Sequence, residues 1–369
     1  MMAATRFIGL DVHKDTIAVA IAGAGREEAR FFGQIANTPA ALAKLAAKLG
    51  KDGGELHFAY EAGCCGYGVY RHLSNLGHQC DVVAPGLIPV RRGERIKNDR
   101  RDALTIARLL RAGELTAVWV PDESHEAMRD LVRTRDDAVI TLRRSRQQLG
   151  GFLLRHGRVY PPGKRWGTVH KRWIRNQVFE HETQTLVLED YFQAMERAEV
   201  RVQEITARIQ EHLPTWSLSE LVESLQAMRG ISIVTAAVLA AEIGDFSRFD
   251  RPSQLMAYVG LVPSEDSSGN RRRTGGITKA GNNAVRRVLV EGAWNYRMPA
   301  RISKNMMEQQ KHLSPEVREI AWKGQVRLHQ RYRSMIARGK KSTVVATAVA
   351  REMLGFVWAI GCHVQIARP

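Results

Sequence analysis

Cysteine is scarce in this chain. There are four in 369 residues, Cys64, Cys65, Cys80 and Cys362. Two are adjacent, and the spacing fits no zinc motif, metal knuckle or disulfide framework. Reduced thiols in a cytosolic protein are therefore expected. Long hydrophobic runs are missing too. No stretch reaches the roughly 18 uninterrupted apolar residues that mark a spanning helix, so no membrane partner is expected. The N-terminus, MMAATRFIGLDVHK, runs directly into a strand pattern and lacks a signal-peptide layout. Internal repeats and low-complexity tracts are also absent.

Positive charge, by contrast, is in excess. Lys and Arg number 55 against 38 Asp and Glu, a formal net charge of +17. Such a surplus points to a polyanion, most simply nucleic acid, with a basic membrane-surface protein as the alternative. The hydrophobic share, 44%, is that of an ordinary globular chain. The length suits two or three domains.

The stretch IGLDVHKDTIAVAI, residues 8 to 21, organises the chain. It reads as strand, tight turn and strand, rich in β-branched residues. Asp11 interrupts the apolar end of the first strand. A buried carboxylate is costly without a partner or a metal, although an Asp can also simply begin a turn. Further on, EARFFGQIA reads as a third strand and AALAKLAAKLG as a helix started by Thr38-Pro39 and closed by Gly50. ELHFAYEAG is a fourth strand that stops at Glu61. CGYGVYRHLSNLG is a helix, QCDVVAP a fifth strand, and the basic segment RRGERIKNDRRDALTIARLLRAG a final helix capped by Gly113. This order is the one expected of a ribonuclease-H-like α/β domain over residues 1–121.

Residues 122–213 carry no strand signal. MRDLVRTRDDAVITLRRSRQQLGGFLLRHG and YFQAMERAEVRVQEITARIQEHL are two long helices, separated by the loop YPPGKRWGTVHKRWI. They suggest an antiparallel coiled-coil arm or a plain helical linker domain. Residues 214–369 read as mainly α. A helix–Gly230-Ile231-Ser232–helix unit resembles a helix-hairpin-helix, whose turn amides can face a phosphate, or is an ordinary helix turn. A polar loop, SEDSSGNRRRTGGITKAGNNAVRR, follows. The region from 300 onward is basic and helical.

Four carboxylates stand out. Asp11 and Glu61 each end a predicted strand, and Asp99 and Asp102 share one face of a helix start. If they converge, their repulsion calls for cations, and oxygen-only ligation suits Mg²⁺ or Mn²⁺. Two such ions about 4 Å apart would clamp the attacking and leaving oxygens of a phosphodiester. Asp99 and Asp102 are equally explained as acids favouring the helix macrodipole. Around the pair lie Arg91, Arg92, Arg95, Lys97, Arg100 and Arg101, either contacts for a DNA backbone or ion-pair partners. The polar loop packs Ser264, Ser267, Ser268 and several glycines among Arg271, Arg272, Arg273 and Lys279. Its amides and cations can hold a phosphate. A serine there needs activation to become a nucleophile, and the nearby sequence offers no histidine for it.

Taken together, GLDVHK, AYEAG, KNDRRDA and YVGLVP…SSG…GGITKAGN resemble, in order and over about residues 5 to 300, the DEDD transposases. This family includes Piv-like invertases and insertion-sequence recombinases guided by a bridge RNA. The resemblance implies a RuvC-like domain, a coiled-coil arm and a C-terminal transposase domain. It implies Asp11, Glu61, Asp99 and Asp102 as the metal-binding tetrad. It implies Ser268 as a nucleophile forming a transient phosphoserine with DNA, with the adjacent Ser267 ranked second. It further implies donor and target DNA, a noncoding bridge RNA, and a homodimer assembling into a homotetramer with composite sites. Such a protein would work in the bacterial cytoplasm, on the nucleoid. Two segments depart from shorter members, KRWGTVHKRW and about 300–341. Lys164, Arg165, Lys171 and Arg172 of the first are candidate nucleic-acid contacts. Trp166, Trp173 and Trp322 either stack on unpaired bases or pack locally. The alternatives to a recombinase are a RuvC-like nuclease using metal-activated water, an actin-like kinase or ATPase, and a non-catalytic nucleic-acid scaffold. In place of the Gly and hydroxyl residue usual after the kinase Asp, this chain has Val12-His13-Lys14.

Overall fold

A computed structural model describes residues 5–89, 98–268 and 273–366. The chain divides into two compact units, Met1–Val120 and Pro121–Pro369. Arg92, Arg95, Lys97, Arg271 and Arg272 lie outside the described residues, as does Arg91.

The first unit is a mixed α/β layer. Its strands are β1 (Arg6–Val12), β2 (Thr16–Gly23), β3 (Arg30–Ala36), β4 (Leu56–Glu61) and β5 (Gln79–Val83). They form one sheet in the order β3-β2-β1-β4-β5. β2 is antiparallel to both β1 and β3, whereas β4 is parallel to both β1 and β5. Parallel neighbours need crossovers. These are α1 (Pro39–Leu49), capped by Thr38, and α2 (Gly68–Asn75). The helix α3 (Asp99–Ala112) closes the unit and ends at Gly113, whose φ is +68°.

The two faces of this sheet differ in side-chain size. One packs Ile8, Leu10, Ile17, Val19, Phe58 and Tyr60 against Leu42, Leu45 and Leu49 of α1 and Val69 and Leu73 of α2. The other presents Ala18, Ala20 and Ala22 to Ala103 and Ala107 of α3. Period-two alternation sorts the residues between faces. The alanine face lets α3 come very close. At Gly9 an ideal Cβ would stand 2.2 Å from the Ala103 carbonyl oxygen and 2.4 Å from the Ala107 nitrogen. Only glycine fits there. The five-stranded sheet with helices on both faces is compatible with the ribonuclease-H-like expectation.

The second unit is mostly helical. It begins with α4 (Glu123–Arg155), α5 (Thr168–Arg175) and α6 (Glu182–His212). The 33 residues of α4 span about 50 Å at 1.5 Å per residue. Met128 and Val132 near its start share a core with Ile205 and Ile209 near the end of α6. Leu149, Phe152 and Leu153 near its end meet Leu188, Phe192 and Met195. The two helices are therefore antiparallel. The loop expected between them contains α5, with His170 and Ile174 buried. Eight residues give too short a pattern for helical periodicity to register, and the i,i+4 pair is its only trace.

After α6 come α7 (Ser219–Leu225), α8 (Ile233–Ile243), α9 (Pro252–Tyr258), α10 (Asn283–Ala293), α11 (Lys304–Gln310), α12 (Pro315–Ala337) and α13 (Ser342–Ile366). The turn between α7 and α8 puts Gly230 at φ +85°, where a Cβ would stand 2.5 Å from the Gly292 carbonyl oxygen of α10. The expected polar loop is partly regular. β6 (Pro263–Glu265) and β7 (Thr274–Ile277) pair antiparallel, and Asn282 caps α10. The residues of β6 are exposed, so no alternation reveals it.

Contrary to the expectation of no spanning helix, α13 is long and apolar enough over Ser342–Gln365 to cross a membrane by length and composition, although polar residues break it into shorter apolar runs. Its Val345, Val349, Met353, Leu354, Val357 and Ile360 are fully buried in the core of the second unit. Its hydrophobicity is accounted for by that core.

Candidate active site

Three elements of the first unit carry the four acids. Asp11 is the sixth residue of β1 and, by alternation, shares the face of Gly9, against which α3 packs. Glu61 ends β4. Leu10 pairs with Tyr60 in the parallel register, so Asp11 and Glu61 each follow a paired residue on adjacent strands. Ala59, two residues before Glu61, packs on Ile106 and Leu110 of α3, which places Glu61 on the same face. Asp99 and Asp102 occupy the first turn of α3, whose N-cap Asn98 accepts a hydrogen bond from the Arg101 amide at 3.0 Å.

The tightest group within this cluster contains a residue that sequence reasoning missed. The His13 Nε2 atom lies 3.3 Å from Asp11 Oδ2 and 3.4 Å from Asp99 Oδ1. The candidate ligand atoms of Asp11, His13 and Asp99 all lie within 4.8 Å of one another. Glu61 and Asp102 stand outside this trio. The available signal was the spacing Asp-x-His, which returns two residues to one side of an extended chain.

Electrostatics mark Asp11 as the strained member. Burial pushes its carboxyl above the ordinary carboxylate range, and the like charges of Asp102 and Asp99 push it further, against the pull of His13. Two carboxylates converging with an imidazole between them, and a third close enough to perturb the first, form a donor set that fits a divalent cation. Carboxylate oxygens suit Mg²⁺ or Mn²⁺.

The serine loop belongs to the second unit. The Ser267 hydroxyl donates to Glu265 Oε1 at 2.9 Å and accepts from the Arg273 amide at 3.3 Å, so it is engaged within the hairpin. Ser268 is exposed. The base of the hairpin is clamped by two close approaches. A Cβ at Gly260 would meet the Ala280 carbonyl oxygen, and one at Gly281 that of Tyr258, each at 1.9 Å. Lys279 sits between them with φ +57°.

Other candidate contacts are scattered over the surface. Arg100 is exposed and lies over the Phe31 ring at 5.4 Å. Arg101, Lys164, Arg165, Arg172, Arg273 and Lys279 are exposed. Lys171 is half-buried and its ammonium pairs with Glu199 of α6. Trp322 is 42% exposed on α12, whereas Trp166 and Trp173 pack at the edge of the core shared by α4, α5 and α6.

Comparison with known proteins gives the chain a lineage. A family model named DEDD_Tnp_IS110, described as a transposase, matches residues 8–157, which contain all four acids. A second, the "Transposase IS116/IS110/IS902 family", matches residues 222–307, which contain the serine loop. The chain is 49% identical to the putative transposase y4qE of Sinorhizobium fredii (strain NBRC 101917 / NGR234) over 96% of this chain and 88% of that protein. It is 32% identical to the transposase for insertion sequence element IS1533 of Leptospira borgpetersenii, over 91% of this chain and 98% of that one. The transposase for IS1328 of Yersinia enterocolitica is 28% identical over 79% of each chain. The chain belongs to the DEDD transposase family of the IS110 group. It is a transposase that acts on DNA.

Proposed function

We propose that this transposase cuts and rejoins DNA strands through Ser268, assisted by a divalent cation, Mg²⁺ or Mn²⁺, at Asp11, Glu61, Asp99 and Asp102. The observation that carries the reading is the convergence of Asp11 and Asp99 on His13, with Asp102 close enough to raise the Asp11 carboxyl. Carboxylates held together against their own repulsion make chemical sense as a cation cradle. The bound cation would supply charge neutralisation at the phosphate and favour loss of the serine proton.

The remaining work falls to the chain itself. α3, seated on Gly9, fixes where the two helix acids stand relative to Asp11. His13 orients the Asp11 carboxylate through its ring nitrogen. The hairpin β6–β7 presents Ser268 to solvent, while Ser267 stays bound to Glu265. The Ser268 oxygen attacks the phosphorus, a phosphoserine ester forms, and the 3′- or 5′-oxygen of the cut strand leaves. Reversal by a new strand end restores a phosphodiester and frees the serine, so no ATP is consumed. The cations near Asp99 and in the serine loop would hold the DNA backbone.

The resemblance supports three further parts of the proposal. A noncoding bridge RNA pairs with donor and target DNA. Protomers form a dimer that assembles into a tetramer, joining the acids of one chain to Ser268 of another. The RuvC-like domain, the coiled-coil arm and the transposase domain occupy residues 1–121, 122–213 and 214–369. The net charge of +17 suits both nucleic acids.

A covalent-trapping assay tests the mechanism. Full-length protein, co-purified with RNA expressed from its flanking noncoding DNA, is mixed with labelled donor and target DNA and Mg²⁺. An adduct on denaturing gels that disappears in Ser268→Ala and in Asp11→Asn is expected. Cleavage without any adduct, surviving in Ser268→Ala, would instead identify a nuclease that uses metal-activated water.

A further inference from the structure

We propose that the end of the arm holds a pocket for one unpaired nucleotide of a single-stranded nucleic acid. The inference rests on the nucleic-acid reading above, but concerns a site remote in sequence from the acids and the serine. A cavity of about 700 Å³ opens between α4, the segment 158–167 and α5. That volume lies in the usual range for a small-ligand pocket, about 300–1,000 Å³.

The floor is bare helix backbone. Gly150 and Gly151 line the cavity from the interior of α4. Glycine weakens a helix interior, and close packing is the ordinary reason to find it there. That reason fails here, because an added Cβ at either position would meet nothing within 4 Å. What the glycines provide is open space above the helix.

The wall is aromatic and held in place. Trp166 has φ +64°, a backbone conformation that disfavours a bulky residue. Its amide donates to His170 Nδ1 at 2.9 Å. The His170 ring meets Trp166 edge-on at 5.0 Å and stacks on Trp173 at 5.9 Å with an interplanar angle of 10°. Leu154 and Val159, on the same cavity, remain 66% and 65% exposed. These apolar surfaces have no partner among the described residues that covers them.

The mouth is cationic. Arg143 and Arg165 line it and are exposed, with no acidic partner among the described residues. Arg146, by contrast, is occupied by Glu199 at 3.1 Å and by the Trp166 ring at 5.3 Å. Aromatic and apolar walls below guanidinium groups match a nucleobase attached to its phosphate. A recess of this size excludes a base stacked within a duplex, so the occupant is an unpaired nucleotide. RNA and DNA share that chemistry.

The test uses full-length protein and 20-nucleotide single strands, RNA and DNA, each with one 2-aminopurine, beside matched duplexes. Affinity is read by anisotropy and base environment by 2-aminopurine emission. Gly151→Leu fills the cavity from a helix-compatible position. The variant should lose about tenfold or more in single-strand affinity, the scale of one stacked base, and lose the emission change. Duplex affinity should stay within about twofold, because phosphate contacts elsewhere carry it. The double variant Arg143→Ala/Arg165→Ala, which alters only exposed side chains, should show the same selective loss and guards against misfolding of the first. Unchanged single-strand binding and emission, or equal loss on single strands and duplexes, would overturn the pocket. Wild-type protein that binds no duplex at all would overturn the nucleic-acid reading itself. The RNA and DNA arms show which strand the pocket takes.

Discussion

Replacing Gly9 with alanine tests how the candidate site is assembled. The new Cβ would be placed 2.2 Å from one backbone atom of α3 and 2.4 Å from another. Cβ contacts under 3.0 Å are essentially never seen, and no flexible side chain is available to give way. The helix must therefore retreat from β1 by about 1 Å, and overpacking of this kind destabilises by about 1–3 kcal/mol. For a unit of this size that lowers the melting temperature by about 4–12 °C. Because α3 carries Asp99 and Asp102, the same retreat moves both acids away from Asp11. A misplacement of about 1 Å at a reacting centre costs about 10²-fold in rate. Thermal unfolding by circular dichroism and strand transfer in Mg²⁺ would be measured on the same preparation. A wild-type melting temperature would refute the packing argument. Lowered stability with a wild-type rate would refute the link between the seat of α3 and the chemistry.

Further outcomes follow from other groups. Asp11→Asn removes a carboxylate that burial and like charge disfavour in its ionised form. Since its folded-state range lies above the ordinary one, ionisation at neutral pH works against the fold. The variant should therefore melt a few degrees higher at pH 7 without metal, roughly 1–4 °C, gain nothing from added Mn²⁺, and lose strand exchange. A variant that recombines at near-normal rate sinks the metal-site proposal. Glu242 is buried. Arg133 and Asn282 hold its carboxyl below the ordinary range, outweighing the opposing effect of burial. Its stabilising contribution is full above the ordinary carboxylate range and fades as pH falls through the lowered one. Glu242→Gln should destabilise by about 1–3 kcal/mol at pH 7 and flatten the acid limb of melting temperature against pH, an unaltered limb being the contrary result. Gly150→Ala, in an open position on α4, should stabilise by about 0.5–1 kcal/mol in a denaturant titration, and a loss of stability would reveal hidden packing there. Duplex DNA binding should weaken steeply between 50 and 200 mM salt, by about 10³-fold or more if six or more phosphates are engaged, and a flat response would contradict the polyanion reading.

Much of the first unit was legible because its signals are local. Strand alternation, Thr38 as a cap and Gly113 as a stop each act within a few residues, and the order of strands and helices follows from them. The ordered motifs also revealed the family. Less visible were elements without a periodic apolar face. The eight residues of α5 are too few for a pattern, and the exposed strand β6 has none. The length of α13 escaped a count of uninterrupted apolar residues because polar residues break the run while its mean hydropathy stays high.

By itself the sequence determined the charge, the α/β and α halves, the acids as a set and the serine-bearing loop. Tertiary structure alone decided which of those groups meet. The contact of His13 with both Asp11 and Asp99 depends on how closely a helix more than eighty residues away can approach β1. That distance is set by Gly9 and by a face of alanines on β2 facing alanines on α3. It likewise decided that two helical glycines of α4 border an open cavity walled by α5 and the segment before it. Each of these depends on packing between segments distant in sequence, where the position of one backbone sets the space left to another.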